Sequence, residues 1–194
     1  MNAISRSSLL TLEAYARQRP EIRAGVLSHK KRRTLHLGAH VTLIFEDETT
    51  IRYQIQEMLR IEKTFEESGI QDELNAYNPL IPDGSNLKAT MMIEYEDPAE
   101  RTRELARLKG VEHRVYLQVD GGERVFAIAD EDMPRANEDK TSAVHFLRFE
   151  FPPAAVAAFK GGRSVAIGVD HPQYRVRVDE IAAEVQGALA RDFA

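Results

Sequence analysis

The sequence contains no cysteine. That absence excludes disulfides, thiolate zinc sites, cysteine-ligated clusters and cysteine nucleophiles, and it fits a reducing compartment. No apolar run approaches the roughly 18 residues of a membrane-spanning helix. Residues Met1 to Arg6 lack the apolar core of a signal peptide. There is no surplus of positive charge: the net charge is −5, so general affinity for nucleic acid is not expected. Catalytic signatures are missing too. The chain has no phosphate loop, no dinucleotide fingerprint, no nucleophile elbow and no Glu-x-x-His pair. The expectation is a soluble, cytoplasmic protein without membrane contact, whose activity and cofactors the sequence leaves unnamed.

What is present suits one domain over residues 1–194, with 43% apolar and 29% charged residues. Ser7 or Ser8 can cap a first helix, and a second has Pro20 in its first turn and ends near Lys31. Residues 35–45 alternate as one strand, or as two broken at Gly38. Lys88 to Tyr95 reads as a central strand. Asp120-Gly121-Gly122 makes a hairpin turn, and 130–140 a charged loop. Strands follow at 141–151 and 164–169, and a last helix spans about 179–192. The loop Asn78 to Gly84 holds two prolines and a glycine, and is stiff enough to shape a pocket rim. This is an α+β plan with a largely antiparallel sheet of about six strands, a long central helix, and helices at both ends.

The central helix lies within Phe45 to Phe65, entered through the capping oxygens of Asp47 to Thr50. At roughly 100° per residue, Ile51, Ile55, Met58, Leu59, Ile61 and Phe65 share one arc. Glu62 falls near the middle of that arc and Gln54 at its edge, while Glu57 and Arg60 lie opposite. An inward carboxylate must be answered by an arginine, by a metal, or by water at the helix end.

Other candidates are scattered. Glu94 shares a strand face with Thr90 and Met92. His145 lies on the apolar face of its strand, as a core imidazole or an acid–base group. His171 projects from a strand end. With Glu62, His145 and His171 form a candidate metal set. His36 and His40 on a continuous strand stand roughly 13 Å apart, too far for one ion. Lys31, Arg32 and Arg33 close a helix, where they complement its dipole or hold an anion.

Six stretches resemble one family: Lys31-Arg32-Arg33, Phe45-Glu46 with Tyr53 to Arg60, Tyr77 to Pro82, Ala89-Thr90 with Ile93-Glu94, Ser142 to Leu147, and Asp170-His171-Pro172. It is the bacterial domain-of-unknown-function family 3501. The resemblance implies no established activity, but does imply a genomic setting near rubrerythrin-like and heterodisulfide-reductase-like proteins. The expected function is therefore an accessory protein that binds a ligand or a redox-protein partner, in an oxidative-stress context. The alternatives are a metal-dependent enzyme with Glu and His ligands, and an anion or RNA binder working through residues 30–33.

Overall fold

Alternation of apolar and polar residues along the strands decides the architecture, because each strand can bury only one face. The computed structural model describes residues 3–133, 135–137 and 139–194. Its strands are β1 (Thr34–Leu37), β2 (Val41–Phe45), β3 (Asn86–Ile93), β4 (Val115–Val119), β5 (Arg124–Phe126), β6 (Ile128–Ala129), β7 (Val144–Glu150), β8 (Val165–His171) and β9 (Tyr174–Val178). They form two antiparallel sheets, ordered β1-β2-β3-β7-β6 and β5-β4-β8-β9. Leu43, Phe45, Met91 and Phe149 of the first sheet meet Val115, Leu117, Val165 and Ile167 of the second in one core. Burying each such side chain stabilises the fold by about 1.5–3 kcal/mol.

The sheets join at both edges. The segment 124–129 pairs first with β4 and then with β7, crossing between sheets at Ala127. At the other edge, the Tyr174 hydroxyl donates to the Leu37 carbonyl at 2.6 Å and accepts from the His40 amide at 3.2 Å. Gly38 (φ 70°) lets that hydroxyl approach, since a Cβ there would lie 2.6 Å from it.

The helices are α1 (Leu12–Lys31), α2 (Glu48–Glu62), α3 (Glu67–Tyr77), α4 (Pro98–Arg107), α5 (Pro153–Lys160) and α6 (Ala183–Leu189). Ile51, Ile55 and Leu59 of α2 pack with Ile70 and Leu74 of α3 and with Ile4 and Leu9, forming a second, smaller core. Phe151, Phe159 and Phe193 stack edge-on where α5 and the chain end close the sandwich.

The α+β plan with antiparallel strands holds, and several details differ. The strands form two sheets rather than one, and β9 was not anticipated. The helix expected to begin at Pro20 is continuous with the one before it, which is capped by Thr11, accepting from the Ala14 amide at 3.2 Å, and not by Ser7 or Ser8. Pro20 is an exposed residue inside α1, where its ring faces solvent. The longest helix is this N-terminal one of 20 residues, against 15 for α2. The strand over 35–45 is a hairpin broken at Gly38, as one of the two readings had it. No helix among the described residues is long and apolar enough to cross a membrane.

Tyr174→Phe keeps the ring and removes the bridge between β1 and β9. It should destabilise the protein by about 1–3 kcal/mol, the price of leaving the Leu37 carbonyl unmet, measured by urea unfolding.

Candidate functional site

The corner between β2 and α2 positions the site. Phe45 ends the strand, and Asp47 already caps the helix: its side chain accepts from the Thr50 amide, while the Thr50 hydroxyl accepts from the Asp47 amide. Glu46 is left between them. Its amide donates to the Lys88 carbonyl at 2.8 Å, extending the ladder, so its side chain follows Thr42 and Ile44 onto the outer face of the first sheet. There the Thr90 hydroxyl donates to Glu46 Oε1 at 2.6 Å. Glu46 is only 7% exposed, and among the described residues no cation pairs with it.

That outer face is partly roofed by helices, leaving a cavity of about 270 Å³. Ile44, Met92, Val144, Phe146 and Leu80 supply apolar walls, and Lys30, Glu46, Gln54 and Tyr77 supply polar groups. Paired registers place Ile44, Thr90 and Phe146 in one row across β2, β3 and β7, with Thr42, Met92 and Val144 in the next. The stiff loop after α3 does form a rim, through Leu80. Among the described residues, the side chains of Lys30, Gln54 and Tyr77 have no hydrogen-bond or ion-pair partner.

Elsewhere, charges are spent on one another. An adjoining hollow of about 400 Å³ shares Leu80 and Phe146. There Arg148 pairs with Glu131 at 2.8 Å and with Glu150 at 2.5 Å, and the Lys88 ammonium donates to the Pro79 carbonyl. Burial pushes the Lys88 ammonium below its usual range.

The expected site residues do not converge. Glu62 is exposed at the end of α2, with Ile61 and Phe65 at 60% and 74% exposure beside it. The wheel placed Glu62 at the correct angle, but the last turn extends past its packing partners, and Lys63 (φ 54°) ends the helix. Of the three readings, Glu62 is therefore met by water at the helix end, and not by an arginine or a metal as a buried carboxylate. Glu57, placed on the opposite arc, lies under α1. It accepts from Tyr15 Oη at 2.6 Å and from Arg19 at 2.7 and 2.9 Å, with Arg60 at 3.2 Å. The Arg19 guanidinium holds the Glu57 carboxyl down to about 2. Glu94 is exposed and accepts from Thr42 Oγ1 at 2.6 Å.

His145 is fully buried. Its Nδ1 lies 2.5 Å from Asp130 Oδ2, and its Nε2 lies 3.1 Å from the Ser142 carbonyl and 2.9 Å from Thr141 Oγ1, which donates to Glu112 at 3.0 Å. An Asp-His-Thr line sealed this deeply is closed to a substrate and acts as a polar rivet in the core. His171 is buried, with Nε2 at 3.1 Å from the Lys109 carbonyl. Among the described residues no three His, Asp or Glu side chains come together to hold a metal.

Arg33 is buried rather than free for an anion. Its Nε donates to the Phe45 carbonyl at 2.8 Å and its Nη2 to the Glu46 carbonyl at 3.0 Å and to Asp192, while Asp47 lies 3.5 Å from Nη1. His29 Nε2 meets the same Asp47 at 2.6 Å. Burial pushes the Asp192 carboxyl up to about 6, against the pull of Arg33. Lys31 and Arg32 are exposed.

The family described as Protein of unknown function (DUF3501) matches residues 3–193. This chain belongs to that family. A crystal structure of a novel protein of unknown function from Burkholderia pseudomallei is 56% identical, with a TM-score of 0.95 and full coverage of both chains. No curated protein matches. In this DUF3501 chain, Glu46, Thr90, Gln54, Tyr77, Leu80, Val144 and Phe146 all line the cavity or its wall, and all belong to the stretches that carried the family resemblance. Glu46 and Thr90 were legible as motif residues, but not as a carboxylate and its hydroxyl partner, because they lie on different strands.

Arg33→Ala should cost about 3–5 kcal/mol by urea unfolding, because it leaves Asp192 buried without its cation. Arg33→Lys should recover little of this, having no fork to reach both carbonyls. Glu57, ionised more readily in the folded state than in the unfolded chain, contributes stability that is full above its usual 4.5 and falls away as pH drops toward about 2. Glu57→Gln should flatten stability over that window, seen in unfolding midpoints at successive pH values.

Proposed function

We propose that the protein binds a small amphipathic molecule in the cavity between α2 and the outer face of its five-stranded sheet. One observation carries this reading. Glu46 is buried and hydrogen-bonded on one oxygen, yet among the described residues has no cation beside it, in a cavity where the Lys30, Gln54 and Tyr77 side chains also lack protein partners while Thr50 and Thr90 are engaged. A carboxylate largely removed from water with no cation beside it is expensive. A ligand that answers it recovers that energy, whereas a purely structural role does not require the vacancy. Apolar walls with a few convergent polar groups are the usual build of a small-ligand site. The accessory role and redox-protein partner implied by the family resemblance are compatible with this reading, with the ligand as the signal or cargo.

The test is a melting-temperature survey of the full chain with small amines, amino acids, carboxylic acids and nucleosides, repeated on Met92→Trp, which fills the cavity. One chemical class should raise the midpoint in the native protein and leave the Met92→Trp variant unchanged. No stabilisation by any class, or equal stabilisation of the filled variant, would remove this function.

A further inference from the structure

The cavity contains two opposite charges that do not answer each other. Among the described residues, the Glu46 carboxylate accepts only the Thr90 hydroxyl. The buried guanidinium of Arg33 contacts the backbone carbonyl of Glu46 and spends its charge on Asp47 and Asp192. Lys30, at the last turn of α1, lines the same cavity and forms no ion pair among the described residues. A plain amine in the cavity would neutralise Glu46 and leave Lys30 unmatched. A plain carboxylic acid would do the reverse, and would place its own charge near a buried carboxylate. A molecule that carries both charges next to each other satisfies both walls at once.

Size narrows the class further. A dry cavity of about 150 Å³ takes one benzene ring, so about 270 Å³ suits roughly 10 non-hydrogen atoms. The remaining walls, from Met92, Val144, Phe146 and Leu80, are apolar. We propose that the ligand is a free α-amino acid with an apolar side chain. Its ammonium meets Glu46, with the Gln54 amide oxygen as a second acceptor. Its carboxylate meets Lys30 and the Tyr77 hydroxyl, and its side chain lies along Met92 and Phe146. This rests on the reading of the cavity as a ligand site, and names the chemistry that the site selects.

Calorimetric titration of the full chain with leucine, methionine and phenylalanine tests it, alongside the decarboxylated amines and the des-amino acids. The amino acids should bind, and loss of either charge should weaken binding roughly 10- to 100-fold, as expected for a hydrogen bond to a charged group. Glu46→Gln should weaken binding to a similar degree. Lys30→Met removes a side chain with no protein partner, so the fold should persist by melting temperature, and amino acid and amine should then bind alike. If amines bind the native protein as tightly as amino acids, the class is wrong and the site reading stands. If amino acids give no heat while another class passes the Met92→Trp control, the same conclusion follows. If no class passes that control, the site reading itself falls.

Discussion

The buried guanidinium of Arg33 holds the corner from which the rest of the outer cleft is built. A strand that becomes a helix within two residues leaves carbonyls that neither ladder nor helix can satisfy. Arg33 takes those of Phe45 and Glu46 and binds Asp192 from the chain's last turn. Three segments distant in sequence are pinned at one point. Glu46 is fixed by its amide on Lys88 and by its carbonyl on Arg33, so the side chain is committed to the outer face of the sheet.

Two kinds of buried polar group emerge, and the difference between them carries the functional argument. His145, Thr141, Gln56 and Arg33 have protein partners for their polar atoms. Gln56, for example, accepts from the Leu10 amide at 2.7 Å and so ties the N-terminal segment to α2. Groups met in this way rigidify a core. Glu46 is different: it is nearly as secluded as they are, but among the described residues only one of its carboxylate oxygens is met. The distinction depends on counting partners and not on burial alone, since His145 is the more deeply buried of the two.

Of the three readings of Glu62, water at the helix end is the one the fold selects, for a simple reason. A helical wheel reports angle and says nothing of position along the axis. Ile51 and Glu62 point the same way, but Ile51 lies above the second core and Glu62 lies beyond its end. Glu57 fails in the opposite sense, because the wheel assumes one packed face and α2 has two, the second covered by Tyr15 and Arg19 of α1. By contrast, the cap at Asp47, the turn at 120–122 and the rim loop after Tyr77 were readable, because each depends on residues adjacent in the chain.

The sequence by itself determined the local chemistry: the cap at which α2 starts, which strand faces are apolar, the α+β class, and the absence of thiol chemistry. These are short-range consequences of propensity, capping and alternation, and they need no knowledge of neighbours. Only the tertiary structure decided which polar groups find partners. Arg33 is answered across 159 residues by Asp192, and Glu46 is met by Thr90 across 44 residues but, among the described residues, by no cation. Partnership is a property of distances between segments, and those distances exist only once the two sheets and three N-terminal helices have packed.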